Sequence, residues 1–143
     1  MGDTKQTATA TQLQRQIQPR KRLLVVDDDM DDLLYYSAIL QKQGYEVRSL
    51  GSYEQAAGCL PREDYDLIIV SQGSRDFEGR AVLSRAIEAL PRIPVLVLTR
   101  NVDMGCYLEA MQMGAFDYLE KPLPPSLVAE LVAKHLRAGS LPV

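Results

Sequence analysis

From Arg22 onward the chain alternates between two hydrophobic periods. The runs 23–26, 65–70 and 95–98 are short and apolar on both faces, the pattern of strands buried inside a parallel sheet. Runs over 45–50 and 116–119 complete a set of five. Between them, apolar residues recur at helical spacing. Leu33, Leu34, Ala38 and Ile39 predict one buried helix face running to about Gln43, with Asp31 or Asp32 as its cap and Gly44 as its stop. Ser52 followed by Gln55 has capping-box spacing and opens a second helix that Pro61 closes. Val82, Leu83, Ala86, Ile87 and Leu90 stripe a third, which ends before Pro91. Residues 103–113 predict a fourth, stopped by Gly114, and 126–137 a last one, with Leu127, Leu131 and Leu136 inward and Gly139 at its end. Strict alternation of strand and helix predicts an α/β fold with a parallel sheet, and right-handed crossovers leave few topologies for it.

Composition sharpens this picture. With 143 residues, 46% hydrophobic and 24% charged, the chain fits one compact domain with its own core and short tails. Residues 1–20 are expected to form a flexible arm, since Leu13 and Ile17 give it a single apolar stripe on a stretch too short for an independent helix. The domain is expected over 21–138 and a tail over 139–143. A net charge of -3 argues against a general nucleic-acid surface, and the cluster Arg15, Arg20, Lys21 and Arg22 reads as solvated tail. Cys59 and Cys106 fall in separate helices without metal-ligand spacing, which predicts reduced, partly buried thiols. No apolar run approaches the roughly 20 residues that span a bilayer, and the start lacks the apolar segment of a signal peptide, so a cytoplasmic location without membrane attachment is the expectation.

The candidate chemistry gathers at strand ends. The first strand delivers Asp27, Asp28 and Asp29; the third ends at Ser71; the fourth delivers Thr99; the fifth delivers Lys121, followed by Pro122. The motifs Leu23-Leu24-Val25-Val26-Asp27-Asp28-Asp29, Pro94-Val95-Leu96-Val97-Leu98-Thr99 and Gly114-Ala115-Phe116-Asp117-Tyr118-Leu119-Glu120-Lys121-Pro122 together resemble the receiver domain of two-component response regulators, the CheY-like family. The resemblance covers about residues 21–138. It implies a flavodoxin-like, doubly wound (βα)5 fold with a five-stranded parallel sheet in the order 2-1-3-4-5, in which Asp27, Asp28 and Ser71 face one shallow pocket at the topological switch point.

It also implies roles, residue by residue. Asp27 and Asp28 match the family's acidic pair, which holds Mg²⁺ together with the acceptor carboxylate and a backbone carbonyl that here belongs to Gly73. Ser71 stands where the family has the aspartate that takes a phosphoryl group. With a hydroxyl in place of that carboxylate, no cofactor is required and Mg²⁺ binding is expected to be weak or absent; the alternative is that the acids cap the first helix and pair with Lys121. Ser71 is a weak nucleophile without a neighbouring base, and the only histidine, His135, falls in the last helix. A hydroxyl bonded to Lys121 or an aspartate is the expectation for it. Glu78-Gly79 matches the end of the family's following loop, which fixes the register and makes Asp76 a loop acid. Arg75 stands where the family often has proline, and Arg100 where it usually has a small residue; Arg100 either makes a bidentate ion pair with Asp27 and Asp28 or points into solvent. Thr99 and Tyr118 match the family's switch pair.

The expectation that follows is a receiver domain of two-component, phosphorelay-type signalling that acts as a phosphorylation-independent, non-enzymatic interaction module. Its output face would be the fourth helix, fifth strand and last helix, with Met104, Tyr107, Met111, Tyr118 and Leu123 as contacts. Its partners would be other signalling proteins (a histidine kinase, regulator or effector) or a second copy of itself, with neither nucleic acid nor membrane. Two alternatives stay open: a phosphoacceptor receiver using Ser71 or another residue, and the receiver half of a truncated transcriptional regulator. A nucleotide or flavin site on the same fold lacks a Gly-rich phosphate loop after the first strand.

Overall fold

Each apolar run forms a strand in the computed structural model, which describes residues 20–140. The expected arm up to residue 19, with Leu13, Arg15 and Ile17, and the tail residues 141–143 lie outside the described residues. The strands are β1 (Arg22–Val26), β2 (Glu46–Leu50), β3 (Leu67–Ser71), β4 (Val95–Thr99) and β5 (Asp117–Glu120). They pair in parallel in the order β2-β1-β3-β4-β5. Between and after them run α1 (Met30–Lys42), α2 (Tyr53–Cys59), α3 (Arg80–Ala89), α4 (Met104–Met113) and α5 (Pro125–Ser140).

Successive strand side chains point to opposite faces, so the central strands feed two separate cores. Leu24, Val26, Ile68, Val70, Val95 and Val97 pack under α2, α3 and α4. Leu23, Val25, Leu67, Ile69, Leu96 and Leu98 pack under α1 and α5. All of these are buried, which is why β1, β3 and β4 read as unbroken apolar runs.

Local chemistry sets the helix ends. Ser52 caps α2 by accepting from the Gln55 amide at 3.1 Å. Asp103 caps α4 by accepting from the Cys106 amide at 2.9 Å, and α4 stops at Gly114, whose φ of 114° is open to glycine and strained for other residues.

Three expectations about helices are corrected. The cap of α1 is Asp29, which accepts from the Asp32 amide at 3.1 Å, and neither Asp31 nor Asp32. The buried face of α1 is Asp32, Leu33, Tyr36, Ser37 and Leu40; Leu34 is 59% exposed and Ala38 is exposed as well. Tyr36 can serve as core because its hydroxyl accepts from the Leu123 amide at 3.1 Å. In α5 the inward residues are Val128, Val132 and Leu136, with Leu127 and Leu131 half-buried, and the helix runs on through Gly139 to Ser140.

Candidate functional site

Four strand ends meet at the carboxyl edge. The ladder continues one residue past β1, β3 and β5: the Asp27 amide donates to Leu50 O (3.1 Å), Gln72 to Leu98 O (2.7 Å) and Lys121 to Thr99 O (2.7 Å). This backbone pairing fixes the side chains of Asp27, Ser71, Thr99 and Lys121 around one pocket.

Lys121 lies at its centre. Its buried ammonium donates to Asp27 Oδ2 at 2.6 Å, to Asp32 Oδ2 at 3.1 Å and to Ser71 Oγ at 3.1 Å. Those three bonds use every proton the group has. The second oxygen of Asp27 accepts from the Asp29 amide at 3.0 Å, and Ser71 Oγ also accepts from the Gly73 amide at 3.4 Å.

Arg100 closes the pocket from the β4 side, but with a different partner from the one expected. Its guanidinium grips both oxygens of Asp32, with Nε at 2.9 Å from Oδ2 and Nη2 bonded to Oδ1, and it pairs with neither Asp27 nor Asp28. The reason is the cap at Asp29, which starts α1 early enough to turn Asp32 inward. Arg100 nonetheless keeps 53% of its side chain exposed.

Asp28 points outward and accepts from the Tyr53 hydroxyl at 3.2 Å. Gly73 has φ of +83°, and a Cβ there would run into Glu78 and Tyr53. Gly79 lies so close to the Ser71 carbonyl that a side chain at 79 would strike backbone. Glu78 holds the loop by accepting from the Ser74 amide and hydroxyl, and Asp76 is an exposed loop acid whose amide donates to Ser74 Oγ.

The two buried acids respond oppositely to these surroundings. Burial pushes the Asp27 carboxyl above its ordinary value, beyond what the bonds from Lys121 and the Asp29 amide pull back. Burial acts upward on Asp32 too, but the hydrogen bonds from Arg100 and Lys121 outweigh it and hold Asp32 below the usual carboxylate range. A depressed acid contributes stability that is present above its unfolded pKa and lost as pH falls through the folded value; a raised acid such as Asp27 works in the other direction. Asp32→Asn is therefore expected to lower the Tm near pH 7 and to approach the wild type as pH falls below the usual carboxylate range. A gap between the two melting curves that stays constant with pH would exclude this assignment.

Thr99 is buried and exchanges hydrogen bonds with the backbone of Asn101, 3.0 Å each way. Tyr118 is buried between the end of β3 and the start of α4. Its hydroxyl donates to Gln72 Oε1 and accepts from the Asp103 amide at 3.1 Å. Two members of the expected contact face are thus corrected: Tyr118 and Leu123 are buried, the first by these bonds and the second under α1. Met104 is 66% exposed, Tyr107 is partly exposed and Met111 is half-buried against the core. Val102 and Leu108, which the sequence reading did not single out, join Met104 on the exposed side. His135 is at the opposite end of the sheet, beside Pro94 and Lys21, with Nδ1 bonded to Leu131 O.

Among known proteins, the model of the family described as response regulator receiver domain matches residues 23–133. The chain belongs to the response regulator receiver domain family. The alginate biosynthesis transcriptional regulatory protein AlgB of Pseudomonas aeruginosa is 32% identical over 120 residues, which are 84% of this chain and 27% of AlgB. The transcriptional regulatory protein ZraR of Escherichia coli is 35% identical over 101 residues, 71% of this chain and 23% of ZraR. The chain thus spans about a quarter of the length of these relatives. A CheY-like receiver domain protein from Methanospirillum hungatei has the same architecture, with a TM-score of 0.79, 26% identity, and coverage of 85% of this chain and 97% of that one. Receiver domains are signalling modules that interact with histidine kinases and effector domains. Among the described residues of this receiver domain, no helix is long and apolar enough to cross a membrane.

Proposed function

We infer that this receiver domain signals by binding other proteins without being phosphorylated, as a non-enzymatic interaction module. The observation that carries the reading is the Lys121 ammonium, whose three protons go to Asp27, Asp32 and Ser71. Together with Arg100 on Asp32, it pairs the two buried acids of the pocket, Asp27 and Asp32, with the chain's own cations.

Ser71 stands at the phosphoacceptor position. A serine hydroxyl attacks only when a base takes its proton; Lys121 Nζ and the Gly73 amide both donate to Ser71 Oγ, and the Tyr53 hydroxyl beside it is no base, because burial pushes its pKa up. The donor set also suits Mg²⁺ poorly. That ion takes an octahedron of hard oxygens, usually one or two carboxylates with phosphate oxygens and water. Asp27 is engaged by Lys121 and the Asp29 amide, and Ser71 offers a neutral oxygen. Asp28 and the Gly73 carbonyl remain, and among the described residues no group of three or more His, Cys, Asp or Glu is placed to hold a metal.

The surface offered to partners is α4 with its flanking loop, where Val102, Met104 and Leu108 are exposed beside Tyr107. Flexible methionine and tyrosine side chains suit a protein partner, whether kinase, regulator, effector or a second copy, and neither nucleic acid nor membrane is needed. A titration with Mg²⁺ and then beryllofluoride, read on the backbone amides of Asp27, Asp28, Ser71 and Thr99, tests this. The signals are expected to stay in place, and acetyl phosphate is expected to add no mass to the protein. Saturating shifts in the low millimolar range of Mg²⁺ that respond further to beryllofluoride would sink the reading.

A second reading rests on the relatives, which are called transcriptional regulatory proteins and are about four times as long as the matched segment. In it, the domain is the receiver half of such a regulator. A larger protein band recognised in cells by an antibody against this domain would favour it.

A further inference from the structure

Gln72 follows Ser71 directly and is fully buried, yet it bonds nothing in the acidic pocket. Its backbone extends the sheet edge, donating to Leu98 O at 2.7 Å and accepting from the Gly79 amide at 3.1 Å. Its side-chain Nε2 donates to Ser74 O at 3.1 Å, and its Oε1 accepts from the Tyr118 hydroxyl. The same hydroxyl accepts the Asp103 amide proton at 3.1 Å, and Asp103 is the cap of α4. The Tyr118 ring meets Tyr107 of α4 edge-on, with centroids 5.6 Å apart. One continuous line of contacts therefore joins the end of β3 to the first turns of α4.

We propose that Gln72 is a positioning residue that holds Tyr118 inward and thereby fixes the first turn of α4, so that the α4 face is set without a phosphoryl group. The proposal deepens the interaction-module reading and rests on it for its meaning in signalling. A two-state element moves only as far as its contacts differ between the states. With Tyr118 inward, Gln72 Oε1 and the Asp103 amide are both paired, and among the described residues no buried side-chain nitrogen or oxygen lacks a partner. Rotating Tyr118 outward removes the partner of Gln72 Oε1 where water does not reach, a penalty that an apolar residue at 72 would not impose. The bias toward the inward state is thus built into the chain and is present in every molecule, whatever occupies the pocket.

The test is amide hydrogen exchange by NMR on the full chain, comparing wild type, Gln72→Leu, Tyr118→Phe and the double variant. The Asp103 amide is expected to exchange about tenfold faster in each single variant, while the Leu24 amide in β1 keeps its protection. The double variant is expected to be no faster than the faster single one, because both substitutions break one line of contacts. A wild-type Asp103 rate in Gln72→Leu, or two effects that simply multiply, overturns the proposal. Should Gln72→Leu lose protection throughout β1, the Gln72 side-chain NH₂ signal in Tyr118→Phe decides instead: a shift supports the bond and an unmoved signal overturns it. None of these readouts involves metal or phosphoryl chemistry. A pocket that responds to beryllofluoride would defeat the phosphorylation-independent reading while the exchange data still judged Gln72 on its own.

Discussion

Replacing Lys121 by methionine is expected to cost about 3–5 kcal/mol of folding stability, the range for removing one partner of a buried ion pair. Domains of this kind are stable by about 5–15 kcal/mol in total, so the variant should fold only marginally at neutral pH. Methionine keeps the length of the stem and removes the charge, which isolates the electrostatic part. What remains is Asp27 and Asp32, both buried, with Arg100 serving only the second. Asp27 then has no cation, and its carboxyl, already raised by burial, rises further. A raised acid favours the fold below its unfolded pKa and loses that contribution as pH rises through the folded value, so the deficit of Lys121→Met should narrow as the solution is acidified. Arg100→Ala makes the contrast. Its guanidinium is half exposed to screening solvent, and its loss should cost clearly less than that of Lys121. Urea denaturation of the three proteins at neutral and acid pH measures both. A neutral-pH loss below about 1 kcal/mol for Lys121→Met would mean that the buried acids do not depend on this ammonium, and the charge-satisfied pocket would have to be abandoned.

The fold was largely legible because its strands are buried on both faces and announce themselves without any tertiary information. The pocket was legible in part, for the same reason: residues that directly follow apolar runs have to lie at the carboxyl edge, which places Asp27, Ser71, Thr99 and Lys121. What escaped was everything that depends on helix phase. Five of the six residues from Asp27 to Asp32 are aspartates, and any of several could cap α1. Only the backbone decides that Asp29 does, and that choice carries Asp32 into the pocket and gives Arg100 its partner. The phase of α1 is likewise set by Tyr36, an aromatic with a polar tip that becomes core once the Leu123 amide is there to bond it. In α5 the β-branched Val128 and Val132, and not the leucines one position earlier, face the sheet. Gln72 gave no periodic signal at all. A lone amide after a buried strand is ordinary in sequence, and its meaning arises only when Tyr118, 46 residues away, lands beside it.

Ser71→Asp is expected to give a pocket that binds Mg²⁺ in the low millimolar range, where the parent is expected to bind it weakly or not at all. At about 4 Å from a cation and an effective dielectric near 20, each added unit charge contributes about 4 kcal/mol per unit of cation charge before desolvation is subtracted. A tenfold gain in affinity needs only about 1.4 kcal/mol of that. The same substitution should weaken the metal-free protein. Around the pocket Asp27, Asp28 and Asp32 face Lys121 and Arg100, three negative charges against two positive ones, and a fourth negative charge raises the imbalance. Mg²⁺ should then restore stability through linkage, by about 1.4 kcal/mol when its concentration is ten times its Kd. Thermal melts of both proteins in MgCl₂ and in NaCl of equal ionic strength separate specific binding from screening. The expected result is a flat Tm for the parent and a rising one for Ser71→Asp. Equal responses in the two proteins would show that Asp27 and Asp28 suffice for the metal. The residue at position 71 would then not decide metal binding, and Arg100, whose grip on Asp32 closes the β4 side of the pocket, would be the next residue to remove.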